Sequence, residues 1–242
     1  MTQLIWFRND LRLADNPALT AATHQGEKVE ACFLPAPEQW REHDWSPART
    51  DLMLRSIETL ADDLAKLGIP LHIRTLARFA DTDDALLELC REIGAQAVHC
   101  NEEYAVNERR RDHRLKHWLE SCGIGFSIYR DQTVVPVKAL YTGGGTPYTV
   151  FTPYSRRWWQ WLDRNPPGLY ATPSPQGEPV AHPAIPELAD WRTAKVHWLA
   201  PGEAAAHDQL DRFLEARMAA YGDNRDFPAL DGTSVISPYL AI

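Results

Sequence analysis

The residues best suited to chemistry gather near the end of the chain, where Thr233, Ser234 and Ser237 bracket Val235 and Ile236 just after Gly232. Hydroxyls and main-chain N–H groups converge in such a turn, and Ser237-Pro238 has the form of a helix start. Free amides at a helix start favour anionic groups, so the segment reads as a phosphate cradle that needs no lysine. The plain alternative is a cap for the next helix and nothing more. A second set lies in two loops. His43 stands between Glu42 and Asp44, with Trp40 and Trp45 nearby, and Asn107-Glu108 lies further along. A paired amide and carboxylate offers both donors and acceptors, as the N–H and C=O edge of a fused pyrimidine ring requires. An imidazole beside an indole offers a stacking wall. The alternative makes Asn107 the cap of the following helix and Glu108 an acid in its first turn; both can hold together.

Something must position these groups. Over residues 1 to about 135, short apolar runs alternate with amphipathic helical patterns. The runs are Leu4–Phe7, Val29–Leu34, Leu71–Arg74, Ala97–Cys100 and Phe126–Tyr129. Strands alternating with helices imply crossover connections, so the spacing predicts an α/β fold, a doubly wound five-stranded parallel sheet. Ile57, Leu60, Ala61, Leu64 and Leu67 fall at helical spacing and Gly68 supplies a stop, which predicts a helix from about Ala48 to Leu67. Another helix carries Leu86, Leu87 and Cys90, and a third runs from about Val106 to Glu120. A parallel sheet binds ligands outside the carboxyl ends of its strands. The loop after the second strand, Pro35 to Pro47, and the loop after the fourth, Asn101 to Asn107, are such places.

Near Thr152 the character changes. Thr152 and Pro153 form a helix start of capping hydroxyl and first-turn proline, before an aromatic-rich helix from Tyr154 to Leu162. From Asn165 to Pro201 the chain carries eight of its eighteen prolines without sustained periodicity, which reads as a linker. One helix, roughly Glu203 to Tyr221, precedes the terminal motif. The expected division is 1-163 as an α/β domain, 164-201 as a proline-rich linker and 202-242 as a separate C-terminal piece.

The formal net charge is −8, and Pro201 to Ile242 holds seven acidic and three basic residues, which argues against broad binding of a phosphate backbone by this chain. Arg109, Arg110, Arg111, Arg114 and Lys116 form a basic run. Glu108, Asp112 and Glu120 are interleaved at pairing distance, so the run reads as a solvated helix face. Arg156, Arg157, Trp158, Trp159 and Trp161 could stack bases. A helix places Trp158, Trp161 and Leu162 on one face, which favours core or domain-interface packing. Arg8 and Asp10 follow the first strand and read as a pair fixing the turn into the first helix. No Gly-x-Gly-x-x-Gly follows that strand, so the ordinary dinucleotide fingerprint is absent. Cys32, Cys90, Cys100 and Cys122 lack zinc spacing, and Cys32 and Cys100 sit in apolar runs, which points to a reduced, cytoplasmic chain. No leader pattern and no membrane-length apolar run is present.

Four separated motifs carry a resemblance. They are Trp6-Phe7-Arg8-Asn9-Asp10-Leu11-Arg12 and on to Pro17; Asn107-Glu108-Arg109-Arg110-Arg111-Asp112; Pro147-Tyr148-Thr149-Val150-Phe151-Thr152-Pro153-Tyr154; and Arg225-Asp226-Phe227-Pro228 and on to Leu240. In their order and spacing the chain resembles the DNA photolyase/cryptochrome family over its whole length, most nearly the folate-using photolyases of cyclobutane pyrimidine dimers. The resemblance implies light-driven DNA repair, in which an antenna passes excitation to a reduced FAD that donates an electron to a flipped-out dimer. It implies that Tyr221, Thr233, Ser234, Val235, Ile236 and Ser237 contact the FAD phosphates. It implies that His43, Asn107 and Glu108 hold a reduced-folate antenna, 5,10-methenyltetrahydrofolate. It also implies a longer, monomeric parent that meets damaged DNA through a helical FAD-binding domain, of which 202-242 is only the start. The chain alone would then be inactive, with no catalytic residue of its own and a tail deprived of its packing partner.

Two other classes fit the same residues. A cryptochrome photoreceptor would signal through the same flavin. A plain α/β nucleotide-binding module would take adenine nucleotides, not folate or flavin, at the carboxyl edge of the sheet.

Overall fold

In a computed structural model, which describes residues 1–25, 28–182, 184–186 and 199–242, the five apolar runs form strands β1 (Thr2–Phe7), β2 (Lys28–Phe33), β3 (Leu71–Ile73), β4 (Ala95–Asn101) and β5 (Gly125–Tyr129). Every pairing is parallel and the order is β3-β2-β1-β4-β5. Side chains alternate across a strand. Ile5 and Phe7 therefore join one core layer with Leu19, Ile57 and Leu64, while Leu4 and Trp6 join the other with Leu86, Val98 and Leu115. With both faces covered, the strands read as continuous apolar runs. Each fully buried leucine or isoleucine contributes about 1.5–3 kcal/mol over its exposed state.

The helices that cover the sheet are α1 (Pro17–Gln25), α2 (Pro37–Glu42), α3 (Pro47–Lys66), α4 (Thr82–Ile93) and α5 (Val106–Ser121). The hydroxyl of Ser46 accepts the Arg49 N–H at 3.2 Å to start α3. Gly68 follows its end at φ 71°, where a Cβ would meet the Glu178 carbonyl at 3.0 Å. The loop expected between Pro35 and Pro47 contains α2, a short helix that Pro37 can open because its first N–H groups need no intrahelical partner.

Three expectations are corrected. First, α6 (Phe151–Arg164) begins before Thr152, with Val150 as an extended N-cap and no side-chain cap. Pro153 is tolerated because it still lies in the first turn. The stripe Ser155, Trp158, Trp161 and Leu162 is half-buried and no residue of α6 is fully buried, so the aromatic face is not core. Second, the helix expected from Glu203 to Tyr221 breaks at Arg217 into α7 (Gly202–Ala216), a tight turn at Met218–Ala220 and α8 (Tyr221–Asn224). The break brings Tyr221 edge-on to Phe213, with centroids 5.7 Å apart. Third, Ser237-Pro238 opens only a three-residue turn, Tyr239–Ala241, which carries no helix dipole of consequence.

The segment after residue 199 is not left without contacts. The Gly202 N–H donates to Ser56 Oγ at 3.2 Å, Arg55 Nη1 to the Leu199 carbonyl at 2.9 Å, and Arg49 Nη2 to the Ala241 carbonyl at 3.1 Å. Glu203 accepts the Leu13 N–H at 2.9 Å. Leu214, Phe227, Leu230 and Leu240 stay exposed. In the proline-rich stretch, Gln176 clamps β2 to the end of α3: its side chain accepts from the Val29 N–H and donates to the Val29 and Gly68 carbonyls, at 2.7 to 2.8 Å. The part of the expected linker at residues 183 and 187–198 lies outside the described residues.

Candidate functional site: a plugged switch point beside an aromatic cleft

The chain order reverses between β1 and β4, and the crevice outside their carboxyl ends is where open parallel sheets commonly take a ligand. Here protein groups fill it. Arg8, directly after β1, places Nη1 2.9 Å from both carboxylate oxygens of Asp112 on α5 and 3.2 Å from Glu103 Oε2. Its Nη2 donates to the Asn101 carbonyl. The Asn101 amide bridges Asp10 Oδ2 at 2.7 Å and Asn16 Oδ1 at 2.9 Å. Arg111 closes the set, with Nη2 2.7 Å from Glu103 and 2.8 Å from Asp112. All of these side chains are buried. Burial pushes the Glu103 carboxyl up, but Arg8 and Arg111 outweigh it and hold its pKa below the ordinary value. Burial dominates at Asp10 and raises its pKa, against the Arg8 N–H that donates to it at 2.6 Å.

Two readings of the sequence change accordingly. Arg8 does fix the strand-to-helix turn, but its guanidinium pairs with Asp112 and Glu103; Asp10 takes only its main-chain N–H. Arg111 is not on a solvated face: it is 5% exposed, and only its neighbours in the basic run face outward. Arg114 reaches Asp83 at 2.5 Å, and Lys116 stands 4.0 Å from Glu120.

Beside the network a cleft of about 100 Å³ opens along the carboxyl ends of β1 and β2. Trp6 is buried in its inner wall. Trp40 of α2 and Trp45 stack with centroids 5.5 Å apart and planes 8° apart. Gln39, His43 and Glu108 stand at the exposed end, and Gln39 Nε2 donates to Glu108 Oε1 at 3.3 Å. The structure thus brings His43 and Glu108 to one cleft. Asn107 is exposed at the second position of α5 and is not among the cleft residues; Ala105 holds the cap position, so Asn107 does not cap the helix either. Trp6, Arg8, Gln39 and Arg111 were not singled out from sequence as cleft residues. The alternation along β1 could have placed Trp6, but Arg111 looked like one arginine among several.

The donor set suits a flat heterocycle with an N–H and C=O edge. Carboxylates at Glu103 and Glu108 accept, the Gln39 amide does both, and the buried Arg8 Nε–H has no partner among the described residues. The volume admits about one ring, well below the roughly 300 Å³ of ordinary ligand pockets, so the rest of a larger molecule would lie outside.

The terminal motif forms a separate turn. Val235 has φ 52°, a left-handed conformation that strains a β-branched residue and is commonest at functional turns. The N–H groups of Thr233, Ser234, Val235 and Ser237 donate to nothing among the described residues, whereas the Ile236 N–H reaches Ser234 Oγ at 3.4 Å. Tyr221 is exposed, with Arg225 over its ring at 5.8 Å. A second and larger cleft, of about 760 Å³, lies between α3, α7, the final turn and the loops after β1 and β5; of Tyr221, Thr233, Ser234, Val235, Ile236 and Ser237 only Ile236 lines it. Among the described residues no helix is long and apolar enough to cross a membrane, and no group of side chains is placed to hold a metal ion.

Known proteins share the fold. The family model described as DNA photolyase matches residues 3–179. The deoxyribodipyrimidine photo-lyase of Vibrio cholerae is 36% identical over 247 residues, which cover 99% of this chain and 52% of that protein. An uncharacterized 31.6 kDa protein of Synechococcus is 31% identical over 246 residues, covering 98% of this chain and 83% of that protein. The crystal structure of a bacterial class III photolyase from Agrobacterium tumefaciens superposes with a TM-score of 0.80 at 29% identity, over 99% of this chain and 50% of that one. The chain spans about half the length of most curated relatives it matches. With its parallel sheet, its match over most of the sequence and these relatives in common, the chain belongs to the DNA photolyase family.

Proposed function

We propose that the chain serves light-driven repair of cyclobutane pyrimidine dimers in DNA, as the antenna-holding part of a deoxyribodipyrimidine photolyase. The observation that carries the reading is the convergence of His43 and Glu108 on an aromatic cleft in a chain of this family. In this reading residues 1-163 form the antenna domain, 164-201 the linker and 202-242 the first part of a flavin-binding unit.

The cleft takes one end of 5,10-methenyltetrahydrofolate. Glu108 and Gln39 bind the polar edge of its pterin, Trp40 and Trp45 exclude water from one side, and His43 covers the outer end. Asn107 stands next to Glu108 at the exposed edge and contributes least. The free amides of Thr233, Ser234, Val235 and Ser237 receive the FAD phosphates, with Tyr221 beside them. That cradle works by hydroxyls and amides alone, because the turn that follows is too short to add a dipole. Bound FAD supplies the electron for dimer splitting. The acidic tail leaves contact with the DNA phosphates to other surfaces.

A thermal-shift comparison of folate, FAD and ATP tests the reading. Stabilisation by the reduced folate is expected, removed by pairing His43→Ala with Glu108→Gln. Stabilisation by ATP alone would replace the reading with a plain nucleotide-binding module.

A further inference from the structure

Trp6 forms the buried inner wall of the cleft, 3% exposed, and two guanidinium groups stand over its ring. Arg8 lies 4.8 Å and Arg111 4.5 Å from the ring centroid, and Arg111 also faces Phe79 at 5.2 Å. Neither arginine is free to leave, because Asp112, Glu103 and the Asn101 carbonyl fix both. The pattern recurs at Trp45, which also lines the cleft, where the Arg49 guanidinium lies 3.7 Å from the ring centroid. Three guanidinium contacts thus fall on two indoles that line one small cleft.

Indole is among the side chains most easily oxidised by one electron. Beside an excited chromophore it ordinarily gives that electron up and takes it back, and the excitation is lost as heat with no net chemistry. A cation held over the ring opposes removal of an electron, since the indole would become positive within a few ångströms of a fixed positive charge. At buried Trp6, Asp112 and Glu103 offset part of that charge, whereas half-buried Arg49 over Trp45 has no carboxylate partner among the described residues. We infer that Arg8 and Arg111 on Trp6, and Arg49 on Trp45, protect the excited state of a chromophore in this cleft by making its tryptophan walls hard to oxidise. The inference rests on the proposed antenna reading and deepens it: the arginines preserve light energy and do not serve only to hold the ring.

The test is the emission lifetime of 5,10-methenyltetrahydrofolate bound to the chain, with the bound fraction measured separately by equilibrium dialysis. Arg111→Met keeps the apolar stem and removes the charge; the bound lifetime should shorten several-fold, and Arg111→Lys should restore most of it. Trp6→Phe introduced into the Arg111→Met chain should restore the long lifetime, because the electron donor is gone. Arg49→Met, which lies outside the buried ion network, should shorten the lifetime in the same way and be rescued by Trp45→Phe; it decides the matter if Arg111→Met fails to fold. Folate that stays bound with an unchanged lifetime in the charge-removing variants overturns this inference and leaves the antenna reading standing. Failure of folate to bind the unaltered chain removes the antenna reading, and this inference with it.

Discussion

Arg8 and Asp112 lie 104 residues apart in sequence, and Arg8 Nη1 meets both oxygens of the Asp112 carboxylate at 2.9 Å. The pair ties the end of β1 to α5 across the point where the sheet reverses order, so the crevice normally open to a nucleotide is closed by protein. Removing one member of a buried ion pair leaves the other charge unpaired, at about 3–5 kcal/mol. Asp112→Ala is therefore expected to lower the unfolding free energy by that amount. Lys116→Ala, at an exposed pair, should change it by less than about 1 kcal/mol. Chemical denaturation of the two variants checks the contrast, and equal effects would remove the network from its stabilising role.

Glu103 gives the network an acid limit. Its folded pKa lies below the ordinary value of 4.5, because Arg8 and Arg111 outweigh the cost of burial. A carboxyl with a depressed folded pKa contributes stability above its unfolded pKa and loses it as pH falls through the folded one. The stability gap between the native chain and Glu103→Gln should thus be constant near neutrality and narrow below pH 4.5. Asp10 and His99, whose pKa values burial shifts up and down respectively, titrate in both proteins and cancel in the difference. Urea denaturation across acid pH measures it; a gap that widens with acid would contradict the assignment.

Gly202 opens α7 at φ 87°, where a Cβ would overlap Thr59 Cγ2 at 2.6 Å. Left-handed backbone costs a non-glycine residue about 1–2 kcal/mol, and the overlap adds to it. Gly202→Ala should loosen residues 202–242 from α3 and make them the first target of limited proteolysis, with the sheet domain left intact. Thr59→Ala in the same chain should recover only part of the protection, since it removes the overlap and not the strain. Unchanged cleavage in Gly202→Ala would mean that α7 does not depend on this contact.

The sheet and its helices were legible because their signals are local. Five apolar runs, the stripe of Ile57, Leu60 and Leu64, and the stop at Gly68 each follow from neighbours a few residues away. His43 was legible as a loop residue and Glu108 as a first-turn residue of the helix after the other loop, both at the carboxyl edge, since parallel topology alone sends both loops there. Arg111 was not: it lies four and eight residues before Leu115 and Leu119 on the buried stripe of α5, but an arginine ordinarily faces water, and the carboxylates of Glu103 and Asp112, gathered by the fold, make it an inside residue. The break at Arg217 was also hidden, as Leu210, Phe213 and Leu214 continue at helical spacing up to it. Sequence periodicity reports which face is apolar and says little about where a helix turns back on itself.

Everything proposed for the cleft between β1, β2 and α2 turns on its holding a folate antenna. Titration of the purified chain with 5,10-methenyltetrahydrofolate, followed by the absorption and emission of the folate, tests it most directly. The account predicts saturable binding of one folate per chain, weakened at least tenfold, about 1.4 kcal/mol, by His43→Ala paired with Glu108→Gln, and little affected by Asn107→Ala. No saturable binding, or binding indifferent to His43 and Glu108, would contradict it.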